Sequence, residues 1–253
     1  MICREFEQWF YQLLNLEPFE QADASMNGLQ VGRRDKPLER IALAVDACAE
    51  TFRRAADGGA DALVVHHGLF WGQPLSVTGS HYQRISLLLD HDIALFAAHL
   101  PLDAHLEVGN NAGIADALGL KSIQPFGAYH GQMIGLQGLL ETSLTVPEVL
   151  QLLGWEDEPD ITVLPFGSER IRKVGVVSGG AAGIVDEAIQ QGCDLFITGE
   201  SSHQVYHTCL ESGINMIAGG HYRTETYGVQ LLGQRIEQET GISTFFIDLP
   251  TGL

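Results

Sequence analysis

Asp61-Ala62-Leu63-Val64-Val65-His66-His67 and, 133 residues further on, Asp194-Leu195-Phe196-Ile197-Thr198-Gly199-Glu200 are two versions of one pattern. Each opens on an aspartate, runs through apolar, partly β-branched residues and ends on polar ones, as a buried strand does at its carboxyl end. Helix-like stretches precede both copies, CAETFRRAADGG and AAGIVDEAIQQG, closed by glycines suited to a left-handed helix end. Before these stand the strand-like IALAVDA, residues 41–47, and VGVVSGG, residues 174–180. After each copy comes another short apolar run, IALFAA before His99 and INMIAGG before His221. The order strand, helix, strand, helix, strand is therefore written twice. It predicts an α/β fold of two similar lobes with mainly parallel sheets, whose ligands gather beyond the carboxyl ends of the strands.

The two third strands deliver related words. His99-Leu100-Pro101-Leu102-Asp103 and His221-Tyr222-Arg223-Thr224-Glu225 each place a histidine four residues before a carboxylate, at an offset of 122. The difference from 133 reads as a loss of eleven residues between the second and third strands of the second copy. Between the copies, residues 121–170 form a connector: HGQMIGLQGLLETS is strand-like, Thr145-Val146-Pro147-Glu148 opens a capped helix, and WEDEPD suits a surface loop. The boundary is expected near residue 125, giving residues 1–125 and 126–253.

Composition narrows the class. A chain of 253 residues that is 45% hydrophobic, with no apolar run near membrane-spanning length, predicts a soluble globular protein. The opening MICREFEQWFYQLLNL is patterned as an amphipathic helix and not as a secretory signal. Cys3, Cys48, Cys193 and Cys209 show no CxxC spacing, which points to free thiols in a reducing cytoplasm. A net charge of −18 without a basic run disfavours nucleic acid.

Metal-ligand residue types collect at the strand ends: His66, His67, His99, Asp103, Glu200, His203, His221 and Glu225. Neighbouring side chains in a regular strand face opposite ways, so His66 and His67 need the strand to end, with Gly68 allowing a turn, to reach one cleft. His221 and Glu225 stack on one side of a helical turn if a helix begins near Tyr222. Pro101 argues instead for an extended turn between His99 and Asp103. Imidazole and carboxylate donors without thiolate suit zinc, iron, manganese or nickel. Eight donors exceed one ion; two ions roughly 3.5–4 Å apart, bridged by a carboxylate and water, would use five or six.

Nearly end to end the chain resembles the YbgI-like dinuclear-metal proteins, a family often labelled GTP cyclohydrolase I type 2. The words that carry the resemblance are MNGLQVG (26–32), GADALVVHHGLFW (59–71), HLPLDAHLEVGNN (99–111), FITGE (196–200), AGGHYRTE (218–225) and the terminal TFFIDLP. It implies a dinuclear metal site in the cleft between the lobes, two divalent ions bound by His66, His67, Asp103, His221 and Glu225 with Glu225 bridging, and a homohexameric toroid. His99 and Glu200 then stand behind the ligands, and His203 outside them. His99 would hold the LPLD turn; Glu200 is either a proton acceptor in the cleft or a carboxylate favoured at a helix N-terminus.

Asn27-Gly28-Leu29-Gln30 shapes the loop after the first helix or lines the cleft. Phe70 and Trp71 read as packing residues before a base-stacking wall, and VSGGAAG as a tight turn before a phosphate-binding one. Two functions follow. One is a hydrolase in which metal-bound hydroxide attacks a nucleotide-like substrate; the other is a hexameric metal-binding scaffold or storage protein. No membrane association is expected.

Overall fold

The computed structural model describes residues 1–253. In chain order the elements are α1 (Cys3–Leu14), β1 (Gly28–Val31), β2 (Arg40–Asp46), α2 (Ala49–Asp57), β3 (Ala62–His67), α3 (Gly79–Asp90), β4 (Ala94–Ala97), α4 (Leu100–Ala104) and α5 (Asn110–Ala117). They continue with β5 (Lys121–Tyr129), β6 (Gln132–Leu144), α6 (Val146–Leu153), β7 (Thr162–Pro165), β8 (Ile171–Val177), α7 (Val185–Gln190) and β9 (Leu195–Thr198). The last are α8 (His203–Ser212), β10 (Asn215–Ala218), α9 (His221–Thr224), α10 (Thr226–Thr240) and β11 (Ser243–Phe246). In space the chain divides differently from a single cut near residue 125. One compact unit holds Met1–Leu102 and Val229–Leu249, the other Asp103–Gly228 and Pro250–Leu253.

The first unit is built on a sheet of order β1-β4-β3-β2-β11, in which only β1 runs antiparallel to its neighbour. Its central strands are buried on both faces, as parallel strands covered by helices are. Ala42, Leu63, Val65 and Leu95 pack with Phe52 of α2 and Leu88 of α3. On the aromatic side, the Phe96 ring stands edge-on to Phe6, with centroids 5.0 Å apart, and 5.6 Å from Phe10. That stack is the buried face of the expected amphipathic first helix, whose Cys3, Phe6, Phe10 and Leu14 point inward. All four cysteines are free thiols, and burial pushes those of Cys3 and Cys193 up to about 11, so they are protonated at neutral pH.

The second unit corrects the expectation of a mainly parallel sheet. Its order is β5-β6-β8-β9-β10-β7; β8, β9 and β10 run parallel, but β5, β6 and β7 join antiparallel. For β5 and β6 the cause is local: His130 and Gly131, both at positive φ, make a two-residue hairpin between them, and a hairpin imposes antiparallel pairing. The helix expected after it is α6, capped by Thr145 and Glu148 in a reciprocal box and ended by left-handed Gly154. WEDEPD is more than a surface loop: Trp155 is buried in the core, and Glu158 and Asp160 hold the Arg223 guanidinium at 2.8 and 2.9 Å.

The two parallel triads share one register. Ile41 faces Ala62 as Val174 faces Leu195, 133 residues on. Ala62 faces Ala94 as Leu195 faces Asn215, so the third strand lies only 121 on. The second copy is thus twelve residues short between its second and third strands: residues 68–78 of the first have only 201–202 as counterpart, α8 is two residues shorter than α3, and the turn after it is one shorter; the second copy regains one residue before His221. The opening aspartates do the same work in each copy. Asp61 Oδ2 accepts the Glu39 and Arg40 amides at 2.8 and 3.1 Å, and Asp194 Oδ2 accepts the Arg172 and Lys173 amides at 2.9 Å each. Each carboxylate ties the entry of its strand to its neighbour. Asp61→Ala and Asp194→Ala should therefore destabilise the protein by similar amounts, about 1–3 kcal/mol apiece, in urea unfolding; a loss confined to one of them would show that only one copy depends on the tie.

Candidate functional site

In the first unit, β3 ends on His66, fully buried, and His67, half-buried. Gly68 supplies room there and not the expected turn: a Cβ on it would lie 2.4 Å from the Gln30 amide and 2.7 Å from Ala97. The two imidazoles lie 4.7 Å apart by ring centroid, and His99, after β4, lies 5.1 Å from His66 and 5.7 Å from His67. One ligand atom from each of the three falls within 4.8 Å of the others, so the triad could hold a metal ion.

Every ring is tethered through Nδ1. His66 Nδ1 lies 2.8 Å from the Ala98 carbonyl, His67 Nδ1 2.8 Å from Asp46 Oδ1, and His99 Nδ1 2.8 Å from Asp23 Oδ1. These partners are acceptors, so each Nδ1 carries the proton and Nε2 is the basic nitrogen, the tautomer a metal needs.

Asp23 is the residue the sequence reading missed. Its side chain is 1% exposed, and besides His99 it accepts the Ser25 and Leu100 amides and the Asn27 side chain. Burial pushes its carboxyl up, but these hydrogen bonds, with that from His99 foremost, outweigh it and hold Asp23 below the usual carboxylate range. Asn27 also accepts the His99 amide at 2.8 Å. The LPLD turn is thus held by Asp23 and Asn27, and the His99 side chain is itself held. The turn is helical, not extended: α4 runs Leu100–Ala104 with Pro101 in its first turn, where no amide donor is required. Trp71 packs edge-on to His99 at 5.0 Å and closes that side of the triad.

In the second unit, α9 begins at His221 and stacks Glu225 on it as expected, with Nε2 3.1 Å from Oε1. Nδ1 of His221 meets Glu200 Oε1 at 2.5 Å. The hydrogen bond to the buried Glu225 is the main cause that drives the His221 pKa up to about 9 against the opposing effect of burial, with Glu200 adding to the rise. The metal-free imidazole is therefore protonated at neutral pH, and a metal would take the place of the Nε2 proton. Glu200 accepts from the His221 ring and so orients it. His203 is exposed at the start of α8.

Asp103, 6% exposed, accepts Asn110 Nδ2 at 2.8 Å and Ser178 Oγ at 2.9 Å, while Asn111 bonds the Asp103 carbonyl and the Ser178 amide. The VSGG turn is accordingly a packing device: Ser178 fixes Asp103, and Gly179 lies against Glu225. A Cβ on Gly179, at φ +66°, would stand 2.3 Å from Glu225 Oε1. Gly179→Ala should cost about 1–2 kcal/mol for the left-handed backbone alone and displace the carboxylate. The expected readout is lower thermal stability by thermal unfolding; an unchanged melting temperature would mean that Glu225 tolerates displacement.

Comparison with known proteins agrees along the whole chain. The family model described as Duf34/NIF3 (NGG1p interacting factor 3) matches residues 1–251. A protein of Treponema pallidum (strain Nichols) named GTP cyclohydrolase 1 type 2 homolog is 42% identical, covering 100% of both chains. Among solved structures, TTHA1606 from Thermus thermophilus superposes with a TM-score of 0.91 at 38% identity over 100% of both chains. The protein ybgI, titled as of unknown function, gives a TM-score of 0.90 at 32% identity over 100% of both chains. The chain belongs to the Duf34/NIF3 family.

Proposed function

We propose that this protein is a metal-dependent hydrolase that binds two divalent transition-metal ions through His66, His67, Asp103, His221 and Glu225, with Glu225 bridging, and acts on a nucleotide-like substrate. The observation that carries the proposal is that the Nδ1 atoms of His66, His67 and His221 are all held by acceptors, which leaves Nε2 as the ligating nitrogen. Nitrogen and carboxylate donors without thiolate suit zinc, iron, manganese or nickel. Bound there, such ions supply Lewis acidity and a water acidic enough to ionise near neutral pH. The nucleotide-like substrate takes its support from the cyclohydrolase name of the Treponema relative.

The chain's own contribution is orientation. Asp46 and the Ala98 carbonyl fix the His67 and His66 rings, Glu200 fixes His221, and Asn110 and Ser178 aim Asp103. Such supporting hydrogen bonds are typically worth about 10- to 100-fold in metal affinity. Glu200 is a positioning residue in this proposal, and His99 flanks the ligand set. We place the protein in the reducing cytoplasm, consistent with its free thiols, and no helix is long and apolar enough to cross a membrane.

Asp103→Asn keeps the size of the side chain and removes its charge, so it should lower metal content and turnover together across a panel of nucleotides and phosphoesters. Glu225→Ala should deplete both ions, as read by elemental analysis; two ions per chain retained in that variant would remove the bridging role. A metal-replete wild type that hydrolyses no member of the panel would turn the assignment to a metal-binding scaffold. The proposed assembly is a homohexamer, for which light scattering should give a mass near six chains, and a stable monomer at micromolar concentration would contradict it.

A further inference from the structure

Among the metal-ligand residues collected near the strand ends, His203 plays no part in the proposed hydrolytic site, and His207 stands four residues after it. Both lie on α8. The inward face of this helix carries the buried Val205 and Cys209, and its outward face carries the exposed His203, Tyr206, His207 and Leu210. Helical geometry sets the two imidazoles one turn apart on that outward face, with Cβ atoms about 6 Å from each other. Across such a gap two ring nitrogens can close on one ion, with bonds of about 2.1 Å each. Helical zinc sites built on paired histidines use the same spacing.

The fold makes no other use of the two rings. Neither makes a hydrogen bond or an ion pair, and α8 begins at Ser202 and ends at left-handed Gly213 without help from either. The His207 ring nevertheless has a support. It stands edge-on to Tyr206 with centroids 5.3 Å apart, and Tyr206 stands edge-on to the half-buried Phe166 at 5.1 Å. This aromatic series limits the swing of His207 and so the entropy that chelation must overcome. The surroundings suit a cation. Residues 199–214 include no lysine or arginine, Glu200 and Glu211 flank the pair, and the chain carries a net charge of −18. Glu211 lies about 12 Å along the helix axis from His203, so it adds charge to the approach and no third ligand.

We propose that His203 and His207 chelate one transition-metal ion on the outer face of α8, at a site separate from the strand-end ligands. Imidazole nitrogen selects copper, nickel and zinc over magnesium and calcium, which take oxygen. Two protein ligands leave the remaining positions of the ion to water, which makes the site one of pick-up and release and not of structural closure. It does not depend on the hydrolase proposal.

The test uses the untagged full chain, loaded with zinc and cleared of excess by gel filtration. Passed over immobilised nickel, it should be retained, and imidazole but not magnesium should elute it. A chelating pair holds an ion far more tightly than one imidazole does. His203→Ala and His207→Ala should therefore each weaken nickel binding about tenfold or more in calorimetric titration, with bound zinc and melting temperature unchanged. His91→Ala, at another exposed histidine, should leave nickel binding as it is. Flow-through of the wild type, or wild-type affinity in both α8 variants, would overturn the assignment. So would an equal loss in His91→Ala, which would spread the binding over scattered surface histidines. Absence of zinc from the strand-end site in the same preparations would count against the hydrolase proposal alone.

Discussion

A hydrogen bond from imidazole Nδ1 to a fixed acceptor is the interaction on which the candidate site depends. It recurs at His66, His67, His99 and His221, with a main-chain carbonyl or a carboxylate on the far side each time. An untethered histidine has two tautomers and a freely turning ring, and either freedom would dilute a metal site. The tether removes both before any ion arrives. It also explains the placement of acidic residues that would otherwise look like scattered surface charge: Asp23, Asp46 and Glu200 each face a ring nitrogen.

The tethers work because the strands deliver the histidines in fixed register. Parallel pairing of β2 with β3 sets Asp46 opposite His67, and pairing of β3 with β4 brings the Ala98 carbonyl to His66. The carboxyl ends of parallel strands are therefore more than a convenient place for polar residues; for His66 and His67, ring and acceptor come from neighbouring strands, and a slip in register would separate both pairs. On the second unit the same economy of space is met by glycine. Gly179 gives up its side chain to Glu225, and Gly199 does so for Thr224 and the His221 backbone.

Much of this is legible in the sequence, and the parts that are not have physical reasons. The repeated strand ends, the His66-His67 pair, the His221–Glu225 stack and the capped α6 rest on local periodicity and spacing, which one chain displays directly. Asp23 is invisible there because its partner lies 76 residues away. Ser178 and Asn110 leave no signal because they act through Asp103 and are not themselves of the metal-ligand residue types. The helical course of α4 runs against the expectation because proline breaks helices only where an amide is needed, and the first turn needs none. The antiparallel β5–β6 pair of the second sheet follows from a hairpin whose turn, His-Gly, is a weak signal beside Asn-Gly.

The departures from the repeat are as informative as the repeat. Both copies use an aspartate to bind the first strand to the second and both end the third strand at a histidine, yet only the first carries the long segment between β3 and α3. A duplicated strand frame explains why imidazole and carboxylate side chains collect at the strand ends of both copies without explaining how the copies differ. Residues 68–78 break that equivalence. They bring Trp71 against His99 and Phe70 against the Asp23–Met26 segment, so the same excursion that screens the triad from one side also walls a cavity on the other. The frame common to both copies thus fixes the histidines through their register, and the part found in one copy alone shapes the surface around His99.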